Sequence, residues 1–149
     1  MVGRKSLKGD YCPSARSLDV IGDWWSLLIV RDAFDGLTRF GEFQKSLGIA
    51  KNILTERLKT LVSRGILEAV PVGDSGARME YRLTAMGRDL FPVMVALRQF
   101  GERHLFKPGE PHSELVDREC GLPVRLDIRT PDGRSVGPDD TVLLRVPEE

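Results

Sequence analysis

Five polar side chains of one short stretch, Lys51, Asn52, Thr55, Glu56 and Lys59, alternate with Leu54, Leu58, Leu61 and Val62 at steps of three and four. On a helix that spacing separates an apolar face from a face made of hydrogen-bonding groups. An Asn on such a face matches the edge of adenine, Lys matches guanine or a phosphate, and Thr offers a phosphate contact or packs on a thymine methyl. Arg57 adds a further cation in the same stretch. The chemistry on offer is therefore that of reading double-stranded DNA in the major groove. A plain solvated amphipathic helix has the same pattern, so the case rests on what surrounds it.

Other chemistry-bearing residues are sparse. Cys12 and Cys120 lie too far apart and are too few for a disulfide scaffold or a cysteine-based zinc site, and are read as free thiols. Cys12 directly precedes a helix with Pro13 at its first position and Arg16 one turn on, where helix amides favour negative charge on sulfur. It is the candidate reactive thiol; the alternative is a small buried residue packing the dimer. Cys120 is read as inert tail packing, with an intersubunit bridge to Cys12, should the tail cross the dimer, as the alternative. His104 and His112 have no ligand or catalytic spacing. No Gly-x-Ser-x-Gly or phosphate-loop pattern occurs, and Asp139-Asp140 sits among turn residues, so neither an enzyme nor a cofactor or metal site is expected.

The elements that must position the polar face follow from periodicity. A first helix runs to about Gly22, and a second, Trp24 to Phe34, is apolar nearly all round, as a central helix should be. Trp25 reads as core and Trp24 as core or a cavity lining. Phe40, Phe43 and Leu47 mark a short third helix closed by Gly48, and Lys51 to Arg64 is the fourth. The period then becomes two: Ile66 to Val72 and Arg78 to Leu83 flank the turn Gly73-Asp74-Ser75-Gly76-Ala77. Thr84 opens a long last helix to about Phe106, kinked at Pro92. Two short helices joined through a Gly turn and followed by a hairpin have the order of a winged helix-turn-helix. Residues 36–82 carry a net charge of +3, with Arg39 at a helix start and Arg78 beside the wing tip as phosphate contacts.

The expected fold class is α+β, mainly α: a winged helix-turn-helix with a long C-terminal dimerisation helix and a small hairpin-like tail. The dimer contact is assigned to Leu90, Val93, Leu97, Phe100, His104 and Leu105, whose stripe exceeds what a small core can cover. Residues 1–106 form the expected DNA-binding and dimerisation domain. Residues 107–149 are a Pro-rich tail with strand-like runs at Val124 to Ile128 and Thr141 to Val146. The 149 residues suit one ordinary domain with an appendage. Total charge is zero, but residues 1–105 carry +4 and residues 106–149 carry −4. The basic lead from Met1 to Lys8 has no apolar run behind it and no stretch reaches membrane-span length, so a cytoplasmic protein with no membrane partner is expected.

The chain also resembles bacterial HxlR-type transcriptional regulators over about Asp10 to His104. The resemblance is carried by Cys12-Pro13, Trp25-Ser26-Leu27-Leu28-Ile29, Arg31-Asp32, Arg39-Phe40, Leu47-Gly48-Ile49, Leu54-Thr55-Glu56-Arg57-Leu58 and Glu80-Tyr81-Arg82-Leu83-Thr84. It implies a homodimer on a palindromic operator and, because some members sense oxidants or electrophiles through a cysteine at the place of Cys12, a small oxidant or electrophile as effector. The chain departs from the family pattern at Trp24, where Lys is usual. Ala50 stands where Ser would cap the fourth helix, at a cost of roughly 1 kcal/mol. The wing is less basic than usual, and Arg129 and Asp132-Gly133 stand where longer members carry a late cysteine pair, so the metal site of that tail is not expected here. The competing reading is a winged-helix module that binds a ligand or a protein and does not read DNA.

Overall fold

Pro13 sits at the start of the first helix, α1 (Pro13–Ile21), where its missing N–H costs nothing. The structure, a computed structural model, describes residues 5–147; Met1 to Arg4 of the basic lead lie outside the described residues. Next come α2 (Trp24–Phe34), α3 (Phe40–Leu47) and α4 (Lys51–Ser63). The Asp23 carboxylate caps α2 by accepting the Ser26 N–H at 2.9 Å. Gly48 closes α3 with φ 60°, the left-handed conformation that lets the chain turn directly into α4. The hairpin is β1 (Leu67–Val72) antiparallel to β2 (Arg78–Leu83), in register from Leu67↔Leu83 to Val72↔Arg78.

A third short strand contact was not legible in the sequence. The Tyr81 N–H donates to the Thr38 carbonyl at 2.7 Å and Arg39 bridges Glu80, so the lead into α3 is stitched to the wing. Contacts divide the chain between Phe91 and Pro92. In the first unit α2 packs on α3, α4 and β2, and the core is Ile29, Val30, Phe43, Leu54, Leu58, Leu61, Ile66 and Leu67.

The expected single last helix is two helices, α5 (Ala85–Arg88) and α6 (Phe91–His104). Thr84 caps α5, its hydroxyl oxygen accepting the Gly87 N–H at 3.0 Å. Pro92 has no N–H to give to a carbonyl one turn back, and instead of kinking a continuous helix it stands in the first turn of a new one. Leu90 falls in the turn between the two and so leaves the stripe it was assigned to. Gly87 is buried where a Cβ would lie 2.2 Å from the Ile66 carbonyl oxygen, which excludes any larger residue without a shift of backbone.

The second unit consists of α6 after Phe91 and the tail. Arg98 donates to the Ser113 carbonyl at 2.8 Å, Gln99 donates to the Val124 carbonyl at 3.1 Å, and the Leu126 N–H donates back to Gln99 at 3.3 Å. The expected strands at Val124 to Ile128 and Thr141 to Val146 do not form. The turn at Pro131-Asp132-Gly133 does, closed by the bridge Arg129↔Ser135, while the first run divides its backbone among the Leu115 carbonyl, the Gln99 side chain and the Val136 N–H, and the second pairs with nothing among the described residues.

Three tail carboxylates hold these turns. Asp117 is lowered from the ordinary aspartate pKa chiefly by the Cys120 N–H, Asp127 by the Ser135 hydroxyl, and Asp132 by the Thr130 hydroxyl. A lowered carboxyl stabilises folded structure above the ordinary aspartate pKa, and the contribution is lost as pH falls through the lowered values. The amide resonances of Glu119, Cys120 and Arg134 are therefore expected to hold their neutral-pH positions down to about pH 4 and to move only below it.

Candidate nucleic-acid interface

Leu54, Leu58 and Leu61 anchor α4 in the core, all with 1% exposure or less, and this decides which side chains face outward. Lys51, Asn52, Thr55, Glu56 and Lys59 are all exposed. Lys51, Asn52, Glu56 and Lys59 hold no side-chain hydrogen bond or ion pair with another described residue. Thr55 differs: its hydroxyl donates to the Lys51 carbonyl at 2.8 Å, leaving its lone pairs and methyl group for a ligand. Ala50 makes no side-chain cap, so the first-turn amides of α4 are left to solvent or a ligand.

Arg57 lies on the flank of α4, where its Nε donates at 3.1 Å to Oδ2 of Asp23, the same oxygen that caps α2. Its first role is thus to register α4 against the start of α2. Arg64, which carried no role in the sequence reading, does the equivalent at the other end. Its Nη1 donates to the carbonyls of Asp19 at 2.7 Å and Val20 at 2.9 Å, the last turn of α1. The signal in the sequence was only a cation just past a helix end, opposite carbonyls that no local pattern identifies.

Arg39 and Arg78 are both exposed, and neither side chain has a partner among the described residues. The Arg39 N–H is held by the Glu42 carboxylate at 3.2 Å, and the bridge to Glu80 sets Arg39 two residues along β2 from Arg78. Arg82 is neutralised by Glu80 at 2.8 Å. The first unit thus presents a polar α4 face with two lysines and, at the start of α3 and at the start of β2, two arginines whose side chains have no partner among the described residues. Phosphate oxygens suit the arginines, and base edges suit Asn52, Lys51 and Lys59.

The remaining candidates lie elsewhere. Cys12 is exposed in the single chain at the cap position of α1, and Arg16 turns its Nε to the Asp10 carbonyl. Cys120 is exposed as well, its amide held by Asp117 at 2.9 Å, which corrects the expectation of tail packing. Trp24 is 71% exposed, stacked edge-on against Trp25, so it is neither core nor a cavity lining. In the second unit Val93, Leu97 and Phe100 are exposed on one side of α6, with the His104 ring 5.0 Å from Phe100 and Leu105 exposed just past the helix end. Among the described residues no group of three or more His, Cys, Asp or Glu is placed to hold a metal ion, and no helix is long and apolar enough to cross a membrane.

Comparison with known proteins falls on the same span. The family model for the HxlR-like helix-turn-helix matches residues 20–108. An HTH-type transcriptional regulator of Mycobacterium tuberculosis is 43% identical over 106 residues, covering 71% of this chain and 67% of the relative. A Synechocystis HTH-type transcriptional regulator is 35% identical over 115 residues, covering 76% and 79%. Among solved structures, the transcription-factor candidate PA1607 superposes with a TM-score of 0.88 at 58% identity, covering 94% of this chain and 99% of its own. The redox regulator HypR in its reduced form superposes with a TM-score of 0.59 at 32% identity, covering 63% of this chain and 94% of its own. The two-helix turn, the exposed face of α4 and the wing all fall inside the matched residues, and the chain belongs to the HxlR family of winged helix-turn-helix transcriptional regulators.

Proposed function

We propose that the protein acts as a homodimer that recognises a palindromic operator, with α4 of each copy in the major groove and its wing on the flanking backbone. The observation that carries this reading is the exposed, unpaired set Lys51, Asn52, Glu56 and Lys59 on the side of α4 away from its buried leucines. Thr55 completes the reading face; Arg57, held by Asp23, orients the helix; Arg39 and Arg78 take phosphates. Residues 1–106 serve binding and dimerisation, the latter through Val93, Leu97, Phe100, His104 and Leu105, and residues 107–149 are an acidic appendage. The setting is the cytoplasm.

Mobility shift against genomic fragments, with competitor DNA at two salt concentrations, tests this directly. Retention of discrete fragments with inverted-repeat half-sites supports it; no retention at either salt concentration favours a module that binds a protein or a small ligand. Arg78→Ala is expected to weaken operator and random DNA alike. It should also flatten the slope of log K against log salt by about 0.9 for each lost contact, or about 1.8 for the dimer. A slope unchanged by Arg78→Ala would remove the wing from the interface.

The reading includes a thiol response at Cys12, supported by its exposure and its position at the open amides of α1. The likeness to the redox regulator HypR is consistent with it. Oxidation by peroxide or capture of an electrophile at the sulfur would add bulk and polarity beside α1, whose last turn is tied to α4 through Arg64. Mild oxidant is expected to weaken operator binding of the wild type and to leave Cys12→Ser unaffected. An equal response in both proteins would exclude this switch.

A further inference from the structure

Residues 141–147 form an arm without helix, strand or turn, whose backbone makes no hydrogen bond to any described residue. Its side chains are apolar and open: Val142 is 84% exposed, Leu143 68%, Leu144 89% and Val146 56%. Such a segment is costly in water on two counts, since branched side chains stay hydrated and a run of β-prone backbone stays unpaired. The same unit carries a second uncovered apolar surface. The tail covers the face of α6 that presents Val95, Arg98, Gln99 and Glu102. At 100° per residue, Val93, Leu97 and Phe100 point the opposite way and are 40%, 49% and 61% exposed. The arm and this stripe belong to one chain, yet that chain leaves both uncovered.

We propose that the arm is a strap that packs along α6 of a second copy, so that each arm covers apolar surface its own chain leaves open. The proposal rests on the homodimer reading above and assigns the tail a part in it. Area decides for the second copy. A fully buried Val, Leu or Phe side chain withdraws on the order of 60–120 Å² of apolar surface from water. At the observed exposures the stripe alone supplies about 100–200 Å² per copy. That falls well short of the apolar share, about 500 Å², of the roughly 800 Å² each partner contributes to a standard interface. The arm adds about 200–350 Å², so that the two together come to about 300–550 Å², a range that reaches the required size where the stripe alone does not. Length agrees too: five extended residues span about 16 Å, against about 11 Å from Val93 to Phe100 on the helix. A two-fold pair uses both arms in the same way, so the contact closes and does not propagate.

The test uses the full chain. Hydrogen exchange of residues 141–147 is followed from concentrations where sedimentation shows dimer to those where it shows monomer, and the dimer dissociation constant of Val142→Glu/Leu144→Glu is compared with wild type. Both substituted side chains are exposed in the single chain, so its own fold should be kept. The expected result is arm amides protected in the dimer and unprotected in the monomer, with a dissociation constant raised about a hundredfold. A wild-type dimer whose arm exchanges freely, an unchanged dissociation constant in the variant, or an arm protected equally in the monomer each overturns the strap while leaving the homodimer standing. A wild type that stays monomeric at every concentration overturns both.

Discussion

Phe43→Ala is expected to lower the unfolding free energy by about 3–5 kcal/mol. Phe43 has no exposed surface and is the largest fully buried side chain of the winged unit. It lies in α3, which packs on α2, α4 and β2, so the cavity left by truncation would border every element that orients the reading face. Total stabilities of domains this size run about 5–15 kcal/mol, so a single such loss consumes a large part of the reserve. DNA binding should fall with the folded fraction and recover at low temperature or high DNA concentration, because no contact to DNA has been removed. Urea titration of Phe43→Ala beside Trp24→Ala gives the comparison. Trp24 is mostly exposed, and its truncation should stay within about 0.5 kcal/mol. A loss under about 1 kcal/mol for Phe43→Ala would mean that the helices do not converge on that ring.

Asn52→Ala is expected to cost about 1–3 kcal/mol on the operator and little on random DNA. Asn52 is exposed on the first turn of α4 with no side-chain partner among the described residues, so its amide is free to pair with a base edge, and its removal leaves the helix otherwise intact. A base-edge contact carries sequence information, and its loss therefore appears in the ratio of specific to non-specific affinity. This separates it from Arg78→Ala, which should lower both affinities together. Titration of both variants on operator and scrambled duplex at one salt concentration reads the ratio. An equal loss on both duplexes for Asn52→Ala would show that α4 does not read bases, and the reading face would have to be sought elsewhere on the unit.

The helix-turn-helix and its wing were legible because their signals are local. Leucines at steps of three and four place the buried face of α4 whatever it packs against, Gly48 supplies the one conformation its turn requires, and alternation from Arg78 to Leu83 marks a strand. The last helix was misread because the apolar period runs unbroken through Leu90 and Pro92, and period alone cannot distinguish a kinked helix from a stop and restart. The tail was misread for a different reason. Strand propensity shows that a segment suits an extended backbone, but a strand also needs a continuous partner, and along Val124 to Leu126 the backbone is shared between the Leu115 carbonyl and the Gln99 side chain.

From sequence alone, the order of elements from α1 to β2, the buried leucines of α4 and the polar set beside them follow, since each depends on residues a few positions apart. The tertiary structure alone decides which cations are available. Arg57, Arg64 and Arg82 look no different from Arg39 and Arg78 along the chain. Yet the first three are held by Asp23, by the last carbonyls of α1 and by Glu80, while the other two have no side-chain partner among the described residues. An arginine's partner is set by which carboxylates and carbonyls the fold brings within about 3 Å. Those groups can lie 34 or 45 positions away, as Asp23 and Asp19 do, beyond the reach of any periodic pattern.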